Sequence, residues 1–456
     1  LVGNLNPKEE GNMRDKHWLR LFAVVAVLAL LVAACGGGGG DTTTTTAEAG
    51  GEDTTTTTAA DTTTTAGDNG DMAEGPLTIG TLLPETGDLA FLGPPEIAGA
   101  RLAVEDINAA GGVLGQDVVL IEGDSGDTST DIANQTVDRL LAEGVHAIVG
   151  AASSAVSLTV IDKIVGAGVI QFSPANTSAA FTTYDDQGLY FRTAPSDIIQ
   201  GRVLAQQVAE QGNTTACVIY RQESYGEGLA NSFRENYEGL GGTVSAFIAY
   251  APDTTNFDAE VDQLVEADCE AIVVVSFAEG AQLLVTMHER GIGPTQGKNV
   301  WGVDGNIGGL GKEVPDPSIL AGMKGTEPSV DLTTIQDFLD RMDEAVEGGV
   351  GGVYAYGAET YDAIIIIALA AEVAGTVEPT AIAAEINGVT KEGTKCTTFA
   401  ECKELIAAGE DIDYDGLGGP YEFGDAGEPT AASYRIATYD GGETPNPELD
   451  EYVFAS

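Results

Sequence analysis

Cysteine, histidine and an activated serine are the residue types in this chain that could carry covalent or metal chemistry. The 456 residues include five cysteines and three histidines. His17, His146 and His288 share no metal-ligand spacing with one another or with the cysteines, so zinc is not expected and no cofactor is called for. Gly123-Asp124-Ser125-Gly126 places a serine as a nucleophile would be placed, with His146 or His288 as a nominal base. That segment follows a strand-like run, where an Asp-rich turn at the strand end explains it better. The sequence has no glycine loop with a lysine to cradle phosphate and no nucleophile-elbow pattern. The chain therefore does not read as an enzyme. Cys396 and Cys402 flank the short stretch 397–401 and are expected to close a disulfide after export.

The elements around these residues alternate between strand and helix. The run 77–83 reads as a strand and the loop 84–88 opens towards a helix, in which Ile97, Ala100, Val104 and Ile107 recur at three- and four-residue intervals. Gly111 and Gly112 end that helix, and a strand at 118–121, a helix at 131–142 and a strand at 147–149 follow. The order returns further on: strand 217–220, helix 225–240, the stop Gly241-Gly242, strand 244–250, helix 257–267 and strand 271–277. An Asp-Thr turn recurs as well, at Asp127-Thr128 and at Asp253-Thr254. Short apolar strands without alternation suit parallel sheets covered on both faces, so two related α/β lobes are expected, with a cleft at the carboxyl ends of their strands. Cys217 and Cys269 then begin the first and third strands of the second lobe, which are neighbours in a flavodoxin-like order, and this leaves a bridge between them open. Helix 361–373, with four consecutive isoleucines at 364–367, is too short to span a bilayer and reads as buried core.

Composition bounds the function. Acidic residues number 71 against 20 basic, for a formal charge of −51, which excludes a nucleic-acid partner because binding a phosphate backbone needs Lys and Arg. The acidity reads as a solvated surface that keeps the protein soluble. From Met13, the expected true start, a charged segment leads into an apolar run at 21–34 and then Cys35. This is the layout of a signal peptide, and Leu31-Val32-Ala33-Ala34-Cys35 resembles the bacterial lipobox, in which the signal is cut before a cysteine that carries lipid. Residues 35–76 are rich in Gly and Thr and have almost nothing to bury, so a disordered tether is expected, with a reach of roughly 30–40 Å.

The stretch 107–112 (Ile-Asn-Ala-Ala-Gly-Gly), Phe172-Ser173-Pro174-Ala175 and 224–228 (Ser-Tyr-Gly-Glu-Gly) resembles the periplasmic leucine/isoleucine/valine-binding proteins, from about Leu77 to the C-terminus. The resemblance implies an α/β fold of two doubly wound parallel-sheet lobes joined by a three-segment hinge. Residues 77–193 with 326–428 would form lobe 1, and 194–325 with 429–456 lobe 2. It also implies a ligand site. Ser154 matches the serine that binds a ligand carboxylate through its hydroxyl and backbone N–H, Ala175 a carbonyl that takes the ammonium, and Thr177 a second donor to the carboxylate. Tyr225 matches an aromatic that closes over the ligand, and Asp304 the acid that holds the α-ammonium. The family usually has glutamate at the position of Asp304, and often tyrosine near Phe277, which joins the set with least support. Leu92 is a further wall residue by the same reasoning, with core as its alternative.

The function implied is capture of an amino acid, branched-chain or otherwise aliphatic, for an ABC permease, by a monomeric lipoprotein held outside the cytoplasmic membrane. Binding of amides, urea or aromatic acids, and a sensory role, stay open at this point. Neutral donors such as Ser154 and Thr177 can hold a buried carboxylate without the desolvation cost of a lysine.

Overall fold

The computed structural model describes residues 75–456. The expected leader 1–34, Cys35 and the tether as far as residue 74 lie outside the described residues. Val, Ile and Leu dominate the strands, and the first five form one parallel sheet: β1 (Thr78–Leu82), β2 (Val119–Ile121), β3 (Ala147–Gly150), β4 (Ile170–Ser173) and β5 (Tyr190–Arg192). Their order across the sheet is β2-β1-β3-β4-β5. The next five repeat the pattern as β6 (Thr215–Arg221), β7 (Thr243–Tyr250), β8 (Ala271–Val275), β9 (Asn299–Gly302) and β10 (Lys324–Pro328). They are parallel and run β7-β6-β8-β9-β10, the same winding as the first sheet.

A small sheet of β11 (Thr394–Cys396), β12 (Ile412–Gly416) and β13 (Gly419–Pro420) comes next in the chain. The chain then returns to the second sheet, where β14 (Ala432–Thr438) pairs antiparallel with β10, and β15 (Glu451–Ala455) pairs antiparallel with β14. The main chain thus passes between the two sheets three times, after β5, after β10 and before β14.

The helix Gly357–Ala374 is apolar on every side from Ala363 to Ala371, and Ile364, Ile365, Ile366 and Ile367 are fully buried. It packs on β3 and β4 and against the helices Gly93–Ala109 and Pro379–Ile386, so no face needs to be polar. Gly99 makes the closest crossing: a Cβ there would sit 2.1 Å from the Gly357 carbonyl oxygen. Among the described residues no single helix is long and apolar enough to cross a membrane.

Both cysteine pairs are disulfides. Cys396–Cys402 closes its short loop, and Cys217–Cys269 joins β6 to a position two residues before the adjacent strand β8. The Gly123–Gly126 segment is a turn: the Asp124 carboxylate accepts from the backbone N–H groups of Gly126 (2.8 Å) and Thr86 (3.2 Å), and the Ser125 hydroxyl donates to the Gly126 carbonyl. His146 lies at the amino ends of the strands, where its Nδ1 accepts from the Thr78 N–H (3.0 Å), the opposite end from Ser125.

Candidate ligand-binding cleft

The residues singled out in the sequence lie just beyond the carboxyl ends of strands from both sheets. Ser154 follows β3, Ala175 and Thr177 follow β4, Tyr225 follows β6, Phe277 follows β8 and Asp304 follows β9. All six line one narrow cavity, with only about 10 Å³ open to water while the lobes meet, and Leu92 borders it too. A larger depression of about 530 Å³, between β5 and the helix Pro379–Ile386, is lined by Phe181, Tyr184 and Asn387. It lies away from the strand ends at which both sheets converge, so the cleft cavity is the candidate site.

On the first-sheet side, Ser153 caps the helix Ser154–Gly166 by accepting from the Val156 N–H, which releases Ser154 from that duty. Ser154 Oγ accepts from the Ser178 N–H (3.3 Å) and so ties the two loops together. Asn176 reinforces the tie, donating from Nδ2 to the carbonyls of Ala151 (2.9 Å) and Ala152 (2.8 Å). Arg192, fully buried, donates from Nη1 to the carbonyls of Asn176 (3.0 Å) and Ser178 (2.9 Å) and pairs with Glu428. Thr177 is held between these anchors. Its hydroxyl is buried with no hydrogen-bond partner among the described residues. It is close enough to the Asp197 carboxyl to restrain that group's proton affinity, yet the two are not aligned as a hydrogen bond.

On the second-sheet side, Asp304 is 3% exposed, so a solvated Asp-Gly turn does not describe it. Its Oδ1 accepts from Gln200 Nε2 (2.7 Å) and the Tyr225 hydroxyl (2.9 Å), and its Oδ2 from the Tyr356 hydroxyl (2.7 Å). Burial raises the Asp304 pKa above the usual carboxylate value, and the donors Tyr356, Gln200 and Tyr225 oppose that rise. Gly305 has no room for a side chain: a Cβ would meet the Phe277 ring and the Tyr225 hydroxyl at 2.9 Å. The Tyr225 and Phe277 rings stack with centroids 5.4 Å apart.

The cleft is bridged at its mouth. Arg221, at the end of β6, pairs with Asp88 from the loop after β1 (2.7 Å) and with Glu279 (2.9 Å), and its guanidinium lies over the Phe277 ring, 4.8 Å from the centroid. Tyr356, Gln200, Asn176 and Arg221 were not singled out in the sequence. Tyr356 and Gln200 meet Asp304 from 52 and 104 residues away, and no local pattern announces such contacts.

Two lobes of the same winding, with hydroxyls on one wall of the cleft and a buried acid on the other, fit a solute-binding protein. A family model described as periplasmic binding protein matches residues 76–443, and the chain belongs to that family. The family is made of solute-binding proteins, not enzymes, and membership implies a location outside the cytoplasm. A Leu/Ile/Val-binding protein homolog from Brucella melitensis is 30% identical over 219 residues, covering 47% of this chain and 59% of the relative. A Leu/Ile/Val-binding protein from Rhizobium johnstonii is 24% identical over 384 residues, 82% of this chain and 94% of the relative. Among solved structures, the Streptococcus pneumoniae branched-chain amino acid transporter substrate-binding protein, in complex with isoleucine, superposes with a TM-score of 0.67. It is 23% identical, and the match covers 83% of this chain and all of that one. The likeness carries the two-lobed type I fold.

Proposed function

We propose that this chain captures an aliphatic amino acid, branched-chain in the first instance, in the interlobe cleft and delivers it to an ABC permease. Residues 77–193 with 329–428 act as one lobe and 194–328 with 429–456 as the other, the second boundary falling after residue 328 rather than 325 because β10 (Lys324–Pro328) stays whole in the second sheet. The protein works as a monomer tethered by lipid on Cys35. The observation that carries the reading is the pairing of a buried acid, Asp304, with an unpartnered buried hydroxyl, Thr177, across one cavity. A zwitterion satisfies both: its carboxylate takes hydrogen bonds from Ser154 and Thr177, and its ammonium meets Asp304 and the Ala175 carbonyl. Tyr225 and Phe277 cover the ligand, and the apolar wall at Leu92 receives its side chain. The Leu/Ile/Val-binding names of the relatives support the same ligand class.

Closure requires the ligand to favour the closed form over the open one. Calorimetric titration of the protein, freed of bound solute by mild unfolding, against leucine, isoleucine, valine, alanine, urea and benzoate tests the reading. A dissociation constant of about 1 μM or tighter for an aliphatic amino acid, roughly −8 kcal/mol, is expected. Heat from urea or benzoate alone would overturn the zwitterion site.

A further inference from the structure

We infer that Tyr356 is a positioning residue for the ammonium subsite, a first-lobe phenol that takes the place of water on Asp304 when the lobes meet and keeps that carboxylate anionic. The inference rests on the amino-acid reading above. Asp304 has three hydrogen-bond donors, and two of them, Gln200 and Tyr225, sit on helices packed in its own lobe. Tyr356 is different. It immediately precedes the helix Gly357–Ala374, which packs on β3 and β4 of the first sheet, and its hydroxyl reaches across to Oδ2 at 2.7 Å. When the lobes part, this bond must break and water can reach the carboxylate instead.

The backbone is committed to that reach. Tyr356 has φ +61°, in the left-handed region that bulky side chains rarely adopt, and its ring is 2% exposed. Such a conformation persists when surrounding contacts over-determine it.

The need for a donor follows from the charges that face Asp304. Asp197 on the helix Asp197–Glu210 and Glu327 on β10 are both buried carboxyls, and each interacts unfavourably with Asp304. Glu327 is paired with Arg435 (3.4 Å), whereas both Asp197 oxygens lack a partner among the described residues. Tyr434 on β14 and Tyr225 complete the titratable groups near it, and both phenols are held neutral by burial. The buried cations beside this set are already engaged: Arg435 serves Glu327 and Asp450, and Arg192, which favours the charged form of Asp197, serves Glu428 and the carbonyls of Asn176 and Ser178. Closing the cleft without a first-lobe donor would strip water from Asp304 among two other acids and favour its protonation. A protonated Asp304 has no charge to offer an ammonium. With Tyr356 in place, Oδ2 keeps one acceptor site for a ligand N–H, since it holds a single protein donor.

The sign is fixed by this geometry. Burial already raises the Asp304 pKa, so amino-acid affinity is present above that value and lost as pH falls through it. Removing the Tyr356 hydroxyl moves the loss to higher pH. The test is carboxyl titration by NMR on protein labelled with carbon-13 at aspartate Cγ, with Asp304→Asn to assign the resonance. In Tyr356→Phe the Asp304 midpoint should rise by about one pH unit or more. Leucine affinity, measured across the same pH range, should begin to fall at correspondingly higher pH, with the unfolding temperature close to that of the parent protein. If Tyr356→Phe does not fold, 3-fluorotyrosine at position 356, a stronger donor, should lower the midpoint. An Asp304 midpoint that moves with neither change overturns the inference. The titration is read on protein saturated with leucine, where the lobes meet and Tyr356 touches Asp304; calorimetry on the parent protein comes first, so a parent protein that binds no amino acid would sink the ligand reading separately.

Discussion

Replacing Thr177 with valine separates a binding role from a structural one, because the two predict opposite signs. The hydroxyl is buried, with no hydrogen-bond partner among the described residues. An unsatisfied buried hydroxyl costs about 1–3 kcal/mol, and valine has the same shape without the polar atom. Stability of the ligand-free protein should therefore be unchanged or rise by up to that amount. Binding should move the other way. A hydroxyl donating to a ligand carboxylate makes a charge-assisted bond worth about 1.5–3 kcal/mol, so the dissociation constant for the amino acid should weaken by about 10- to 150-fold. Urea unfolding of the free protein and calorimetric titration with leucine read the two quantities independently. Loss of stability in parallel with affinity, or unchanged affinity, would refute the assignment of Thr177 to the carboxylate.

Three further outcomes follow from the same geometry. Asp304→Asn keeps the shape but removes the charge opposite the ammonium, and should weaken amino-acid binding by about 30-fold or more in calorimetry, the lower end of the cost of truncating a buried charge pair. Asn176→Leu touches no ligand in the proposed pose yet leaves the Ala151 and Ala152 carbonyls and the Tyr190 hydroxyl without Asn176, so denaturant unfolding should show a loss of about 2 kcal/mol or more. Replacing both Cys217 and Cys269 by alanine opens a 52-residue span and should cost about 4 kcal/mol on the chain-entropy model, against about 2 kcal/mol for the six-residue span of Cys396 and Cys402, measured by urea midpoints.

Much of the fold was legible because its signals are local. The glycine pairs after each first helix, the Val- and Ile-rich runs at 147–149 and 271–277 and the repeated strand–helix order point to two lobes of one winding, and both sheets have it. The Cys217–Cys269 pairing also follows from strand order, since β6 and β8 are neighbours. The cleft was legible only where short motifs carry it. Ser154, Ala175 and Tyr225 sit in recognisable runs, but Tyr356 reaches Asp304 through a backbone conformation that its residue type does not advertise. Arg192 was hidden for another reason: an arginine inside a strand reads as surface, and its burial depends on Glu428, 236 residues away. Burial of charge depends on a distant partner, and periodicity does not record partners.

The order in which the chain visits its two sheets bears on how it can be made. The helix Gly357–Ala374 covers β3 and β4 and crosses the helix Gly93–Ala109, yet it is synthesised only after all five parallel strands of the second sheet. Until it emerges, β3 and β4 lack their cover on that face, and the first half cannot complete its core from a contiguous stretch of chain. Contacts of such long sequence separation are late and slow to form. A chain wired this way can acquire its final shape only once nearly all of it is available.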